Sequence, residues 1–179
     1  MIREEVLPVY QTASNPIALA SRLANCPRLL ALYHEVLRLS TSSVSVRDVR
    51  SNVEIGGKLL RAGSRVLLPY RQMLFDDDVF GNNTDVFNSD RFLLDQKLHK
   101  SPSFKPFGGG TTYCPGRFLA RAEVLTFIAL VVCRFDLELA PNKGIRTGVP
   151  RMEGRRPCLG IMGPENGGDI ILKVRQVER

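Results

Sequence analysis

One cysteine sits inside a glycine-rich stretch that runs straight into an apolar helix, and this feature constrains the chain more than any other. It reads F-K-P-F-G-G-G-T-T-Y-C-P-G-R-F-L-A-R from Phe104 to Arg121. Pro115 suits a first helical turn, because its φ is fixed and its missing N–H would have had no partner there. The spacing therefore predicts Cys114 at a helix N-terminus, where unpaired amides and the macrodipole favour the thiolate, the form that ligates metals. Gly108, Gly109 and Gly110 open backbone conformations closed to other residues. Gly116 and Ala120 leave one side of the helix start nearly bare, room enough for a flat, bulky group.

Five of these positions, Phe107, Gly110, Cys114, Gly116 and Ala120, match the pattern F-x-x-G-x-x-x-C-x-G-x-x-x-A. On that ground the chain resembles the cytochrome P450 family, the heme-thiolate monooxygenases, and the form F-G-G-G-x-x-x-C-P-G-R is most similar to the eukaryotic, particularly fungal, branches. The resemblance implies heme as cofactor, with Phe107, Gly110, Cys114, Gly116 and Ala120 around it and Cys114 as the axial ligand to iron. A thiolate there pushes electron density onto the metal and favours O–O cleavage. Many members carry Arg or His two residues before the cysteine, paired with a heme propionate. This chain has Thr112.

Upstream, Leu29 or Leu30, Tyr33 and Val36 or Leu37 recur at helical spacing, which predicts a helix over 28–40. Glu35 and Arg38 lie three apart on one side of it, a spacing that on its own describes a surface ion pair. E-V-L-R-L is also similar to the family's E-x-x-R helix, and Arg91 in F-N-S-D-R-F would be the third member of its Glu-Arg-Arg cluster. Ser89 stands there where Pro is usual. The resemblance implies that Glu35, Arg38 and Arg91 form a buried network locking the cysteine loop against the helix.

Between these anchors the pattern turns to strands. Val44 and Val46 alternate with polar neighbours, Val53 and Ile55 lead through Gly56-Gly57 to Leu59 and Leu60, and 65–70 reads as another short strand. The segment 75–88 is acidic and rich in turn formers, a surface meander whose three aspartates lack EF-hand spacing. Residues 118–134 read as a buried helix, apolar on more than one face, with strands at 135–139 and 170–174. Ile2 to Tyr10 is weakly helical, and Pro16 opens a helix capped by Ser14 or Asn15. The fold class is mainly α with small β-sheets (α+β), a single partial domain over 1–179 that corresponds to the C-terminal portion of the cytochrome P450 fold. By the same resemblance, 41–45 would pass beside the heme and 157–162 would supply a second substrate contact.

Composition removes other classes. Four cysteines without a C-x-x-C pair argue against a zinc ribbon or a disulfide framework, and two histidines are too few for a histidine-built metal site. The longest apolar run, 124–133, is too short to cross a bilayer, and no leader pattern opens the chain. A net charge of +7 meets no nucleic-acid motif. The cations Lys97, Lys100, Lys105, Arg117, Arg121 and Arg134 gather in sequence around the cysteine loop, where the family receives an acidic electron donor.

The implied function is a monooxygenase that inserts one oxygen atom into a small hydrophobic organic substrate, with electrons from an NADPH-dependent reductase or other redox partner. A full-length eukaryotic relative would sit at the endoplasmic reticulum membrane through an N-terminal anchor that has no counterpart in these residues. The family's long central helix, which delivers protons to bound oxygen, has none either. The chain alone is expected to be inactive, whether it is a truncated gene model or a short product. A heme-thiolate isomerase or dehydratase uses the same ligand and stays open.

Overall fold

The computed structural model describes residues 1–140, 152–153, 160–165 and 170–177. Helix α1 spans Ile2–Thr12, and α2 spans Pro16–Leu23, started by Asn15, whose side chain accepts from the Ala18 amide at 2.9 Å. Helix α3, Pro27–Ser40, begins at Pro27 after Cys26, which gives no side-chain cap. The cap comes from α1 instead: the Glu5 carboxylate accepts from the amides of Arg28 at 3.0 Å and Leu29 at 2.9 Å. A carboxylate at that end satisfies two orphan donors and complements the macrodipole.

Strands β1 (Val44–Asp48), β2 (Val53–Ile55), β3 (Lys58–Leu60) and β4 (Arg65–Pro69) follow. β1 pairs antiparallel with β4, and β2 with β3. The β2–β3 turn needs two left-handed residues, and Gly56 and Gly57 supply φ of 58° and 73°. Three short helices, α4 (Tyr70–Leu74), α5 (Asp77–Phe80) and α6 (Arg91–Leu94), then line the meander. Two aspartates there make local bonds, Asp76 accepting from the Asp78 amide and Asp77 from the Thr84 hydroxyl. Helix α7 runs Arg117–Arg134, and β5 (Phe135–Leu139) pairs antiparallel with β6 (Leu172–Gln176). The last strand starts two residues later than its hydrophobic run suggests, because its register is set by β5, Leu139 facing Leu172.

Two apolar clusters flank α3. One joins Val6, Leu19, Leu23, Leu29 and Tyr33 to Leu125, Ala129 and Cys133 of α7. The other gathers Ala31, Leu74, Phe80, Phe92 and Phe104. Arg3 ties α1 to the far end of α7, donating to the Val132 carbonyl at 2.5 Å and pairing with Asp136 at 2.6 Å. That guanidinium, helped by Arg175, holds the Asp136 carboxyl below the usual carboxylate range.

The expected burial of α7 is corrected. Leu125, Ala129 and Cys133 are buried, yet Phe118, Leu119, Val124 and Phe127 are exposed. α1, α2, α3 and β5 pack on one side of α7, so its other apolar face stays open. Among the described residues no helix is long and apolar enough to cross a membrane.

Candidate functional site

Helix α7 begins at Arg117 with Gly116 as its cap, two residues later than the Pro115 start expected from sequence. Cys114 therefore lies in the turn before the helix. Its amide donates to the Phe107 carbonyl at 3.1 Å, which closes the loop on itself. Gly108 and Gly110 hold φ of 77° and 68°, values that side chains other than glycine rarely adopt. The thiol is half-buried and free. A Cβ at 116 would stand 3.8 Å from its sulfur, and at 110 it would meet nothing within 4 Å.

Arg117 closes the loop from the helix side. It donates from Nη1 to the Cys114 carbonyl at 2.9 Å and lies over the rings of Tyr113 and Phe118 at 4.2 and 4.1 Å. Phe107 is half-buried against the cluster that contains Leu29 and Tyr33, and Ala120 is half-buried one turn into α7. The basic residues gathered around this loop in sequence differ in their surroundings. Lys97, Lys100 and Arg134 are exposed, whereas Arg117 and Arg121 are half-buried and bond to the carbonyls of Cys114 and Ala24.

Glu35, Arg38 and Arg91, distant in sequence, come together (Glu35 and Arg38 are fully buried). Arg38 grips the carboxylate at both oxygens, 2.9 Å each, and donates a third bond to the Leu74 carbonyl at 3.0 Å. Arg91 Nε stands 3.4 Å from the same carboxylate, and the Asn88 amide donates to it at 3.0 Å. The rest of the Arg91 guanidinium donates to the carbonyls of Phe80, Asn83 and Val86. Phe75 and Phe80 rings lie 5.3 and 5.7 Å from Arg38. The meander, read from sequence as a segment without chemistry, thus provides the acceptors that this cluster needs.

These bonds run to residues 74–91, so the expectation that the network grips the cysteine loop is revised. Other residues hold the loop. Tyr70 packs against Gly108, where a Cβ would touch its ring at 3.7 Å, and its hydroxyl donates to Ser45 at 2.9 Å. Arg47 of β1 reaches across and donates to the Thr112 hydroxyl at 2.6 Å and the Gly109 carbonyl at 3.4 Å. Sequence reading missed Arg47 because 62 or more residues separate it from these partners. Its signal was indirect: Thr112 stands where a cation was expected.

Of the residues implied to contact substrate, Thr41 is buried and bridges Ile161, and the Ser42 amide donates to the Gly160 carbonyl at 2.9 Å. Among the described residues the hydroxyls of Thr41 and Ser43 are buried without partners. Residues 157–159, and Cys158 with them, lie outside the described residues.

A porphyrin suits this loop on four counts. Among the described residues no three His, Cys, Asp or Glu side chains cluster to hold a metal. A metal at Cys114 must therefore bring most of its own ligands, as iron in a porphyrin does. The approach to the sulfur is bare at Gly110 and Gly116, and Arg47 puts a cation at the loop's rim. Apolar side chains of α7 beside it are open.

The family model for cytochrome P450 matches residues 1–162. A cytochrome P450 monooxygenase, nodJ, of Hypoxylon pulicicidum is 32% identical over 146 residues, 73% of this chain and 28% of that protein. The human 7-alpha-hydroxycholest-4-en-3-one 12-alpha-hydroxylase is 36% identical over 164 residues, covering 86% of this chain and 30% of that one. In structure, the retinoic acid-bound cyanobacterial CYP120A1 superposes with a TM-score of 0.71 at 24% identity, over 98% of this chain and 39% of that chain. The chain spans about a third of the length of the curated relatives it matches.

Proposed function

The chain belongs to the cytochrome P450 family, and we propose that it is the proximal, C-terminal portion of a heme-thiolate monooxygenase, with Cys114 as the axial ligand. The family implies an oxidoreductase that binds heme iron, and the named relatives are monooxygenases and hydroxylases. When bound, the heme supplies the iron and the redox chemistry, and a thiolate ligand favours O–O cleavage. This chain's residues supply one side of the site. Cys114 gives the sulfur, and its amide stays tied to Phe107 so that the loop keeps its shape. Gly110, Gly116 and Ala120 keep that side clear for a flat group, with Phe107 at its edge. Arg47, linked to Thr112, is assigned to an anionic edge of the porphyrin, in place of the cation missing at 112.

The observation that carries the reading is a free, half-buried Cys114 whose neighbour Gly116 would put a Cβ 3.8 Å from the sulfur. Oxygen activation also needs groups on the opposite face and a site closed to water. The proposal assigns those, most of the substrate pocket and the endoplasmic reticulum anchor to portions of a full-length relative outside these 179 residues. Electrons would come from an NADPH-dependent reductase or other redox partner, and the substrate would be a small hydrophobic organic molecule. The test is the absorption spectrum of the reduced, carbon-monoxide-bound chain with added heme, beside a version extended with upstream coding sequence. A thiolate-type Soret band that disappears in Cys114→Ser is expected in the extended version. Persistence of that band in the variant, or no band in either length, overturns the assignment.

A further inference from the structure

The chain's two histidines are stacked on each other beside α3. The rings of His34, on α3, and His99 lie 5.1 Å apart with planes 9° from parallel. They border a cavity of about 290 Å³ that Arg121, Leu30, Ala31 and Phe92 also line. Neither Asp nor Glu is among its lining residues. Arg121 comes from α7, and its bonds among the described residues run to one acceptor, the Ala24 carbonyl at 3.0 Å. Among the described residues its Nε is buried without a partner.

Arg121 is half-buried, and a guanidinium partly withdrawn from water is well answered by a carboxylate. Here it shares the cavity with two imidazoles, the amides Asn25 and Gln96, and apolar side chains. Burial pushes the His34 imidazole down to about 4, with His99 and Arg121 adding to the effect, and no acidic side chain among the lining residues faces Arg121. A metal ion is a poor occupant, because two nitrogens are too few ligands and Arg121 repels a cation. A neutral apolar molecule leaves the guanidinium unused. A carboxylate answers it in the forked geometry that arginine favours, and a flat ring answers the parallel imidazoles and Phe92.

We propose that this cavity binds a small flat organic anion of the aromatic carboxylate class, its carboxylate on Arg121 and its ring against His34 and His99. The test uses benzoate on the whole chain. With only two histidines, their Hε1 protons give two NMR signals that report on the cavity directly. Benzoate is expected to move both signals to saturation, while benzyl alcohol, the neutral counterpart, and acetate, the ringless one, bind about ten-fold more weakly or less, the equivalent of about 1.4 kcal/mol. Arg121→Gln is expected to lower benzoate affinity about ten-fold. Because Arg121 also supports the α2–α3 corner, the exposed His99→Ala is the second variant, with a several-fold loss expected in a folded chain. Signals that do not move overturn the proposal. So does benzyl alcohol or acetate matching benzoate, or an unchanged benzoate affinity in His99→Ala.

Discussion

The charge cluster around Glu35 and the loop around Cys114 are built in opposite ways. At Glu35 both oxygens are occupied, Arg38 spends its donors on Glu35 and Leu74, and Arg91 fills the carbonyls of the meander. Charges removed from water are tolerable only when satisfied this completely. Around Cys114 the reverse holds: the thiol is free, two glycines carry positive φ, and apolar side chains of α7 stand exposed. The first region is finished by the chain itself. The second leaves a surface open, and the difference separates what stabilises the fold from what the fold presents.

The sharpest way to break that contrast is to remove one member of the closed cluster. Glu35→Ala leaves Arg38 and Arg91 buried without a counter-charge, and about 3–5 kcal/mol of stability should go with it. The loss will appear in urea unfolding and in soluble yield, with heme lost as a consequence. A variant with an unchanged unfolding midpoint would show the cluster to be dispensable.

Acid should act on the same side of the comparison. His34 is faced by Tyr33, His99 and Arg121, and its imidazole lies at about 4 against an ordinary 6.5. Between those two pH values the unfolded chain binds the extra proton, so stability is full above 6.5 and falls as pH drops toward 4, by about 3 kcal/mol. Unfolding midpoints at pH 7 and pH 4.5 in His34→Gln and the parent chain will check this: the parent should lose more on acidification.

Arg47→Leu probes the open side. It removes two partly exposed bonds to the loop, so about 1 kcal/mol is the expected stability change. Heme retention should fall by about ten-fold if this cation holds the anionic edge. Heme titration of folded protein separates the two effects. Gly116→Leu should change stability least, within about 0.5 kcal/mol as for other surface substitutions, because the helix cap has ordinary φ there. It should nonetheless abolish heme uptake by crowding the sulfur. Normal heme content in that variant would mean that the porphyrin approaches from elsewhere.

Much of this was legible along the chain because the signals are local. Pro16, Pro27 and Gly56-Gly57 mark helix starts and a hairpin by fixing backbone angles, and the structure has α2, α3 and β2–β3 there. The cysteine loop and E-x-x-R were legible as patterns at fixed spacing. Arg47 was not, since its partners Gly109 and Thr112 are brought to it by the β1–β4 pair and the loop together. Neither was the role of residues 74–91: carbonyl acceptors have no side-chain signature, so the meander looked like solvated surface.

By itself, then, the sequence determined the identity of most elements, the family, and a glycine-rich loop carrying the cysteine ahead of a helix, because propensity and spacing are properties of neighbouring residues. Tertiary structure decided the rest. It alone could say which segments enclose Glu35–Arg38, that Glu5 caps α3 from another helix, that α7 keeps an open apolar face, and that two histidines and Arg121 line one cavity. Burial and charge pairing depend on which distant segments exclude water from a group, and that is fixed only when the chain has closed on itself.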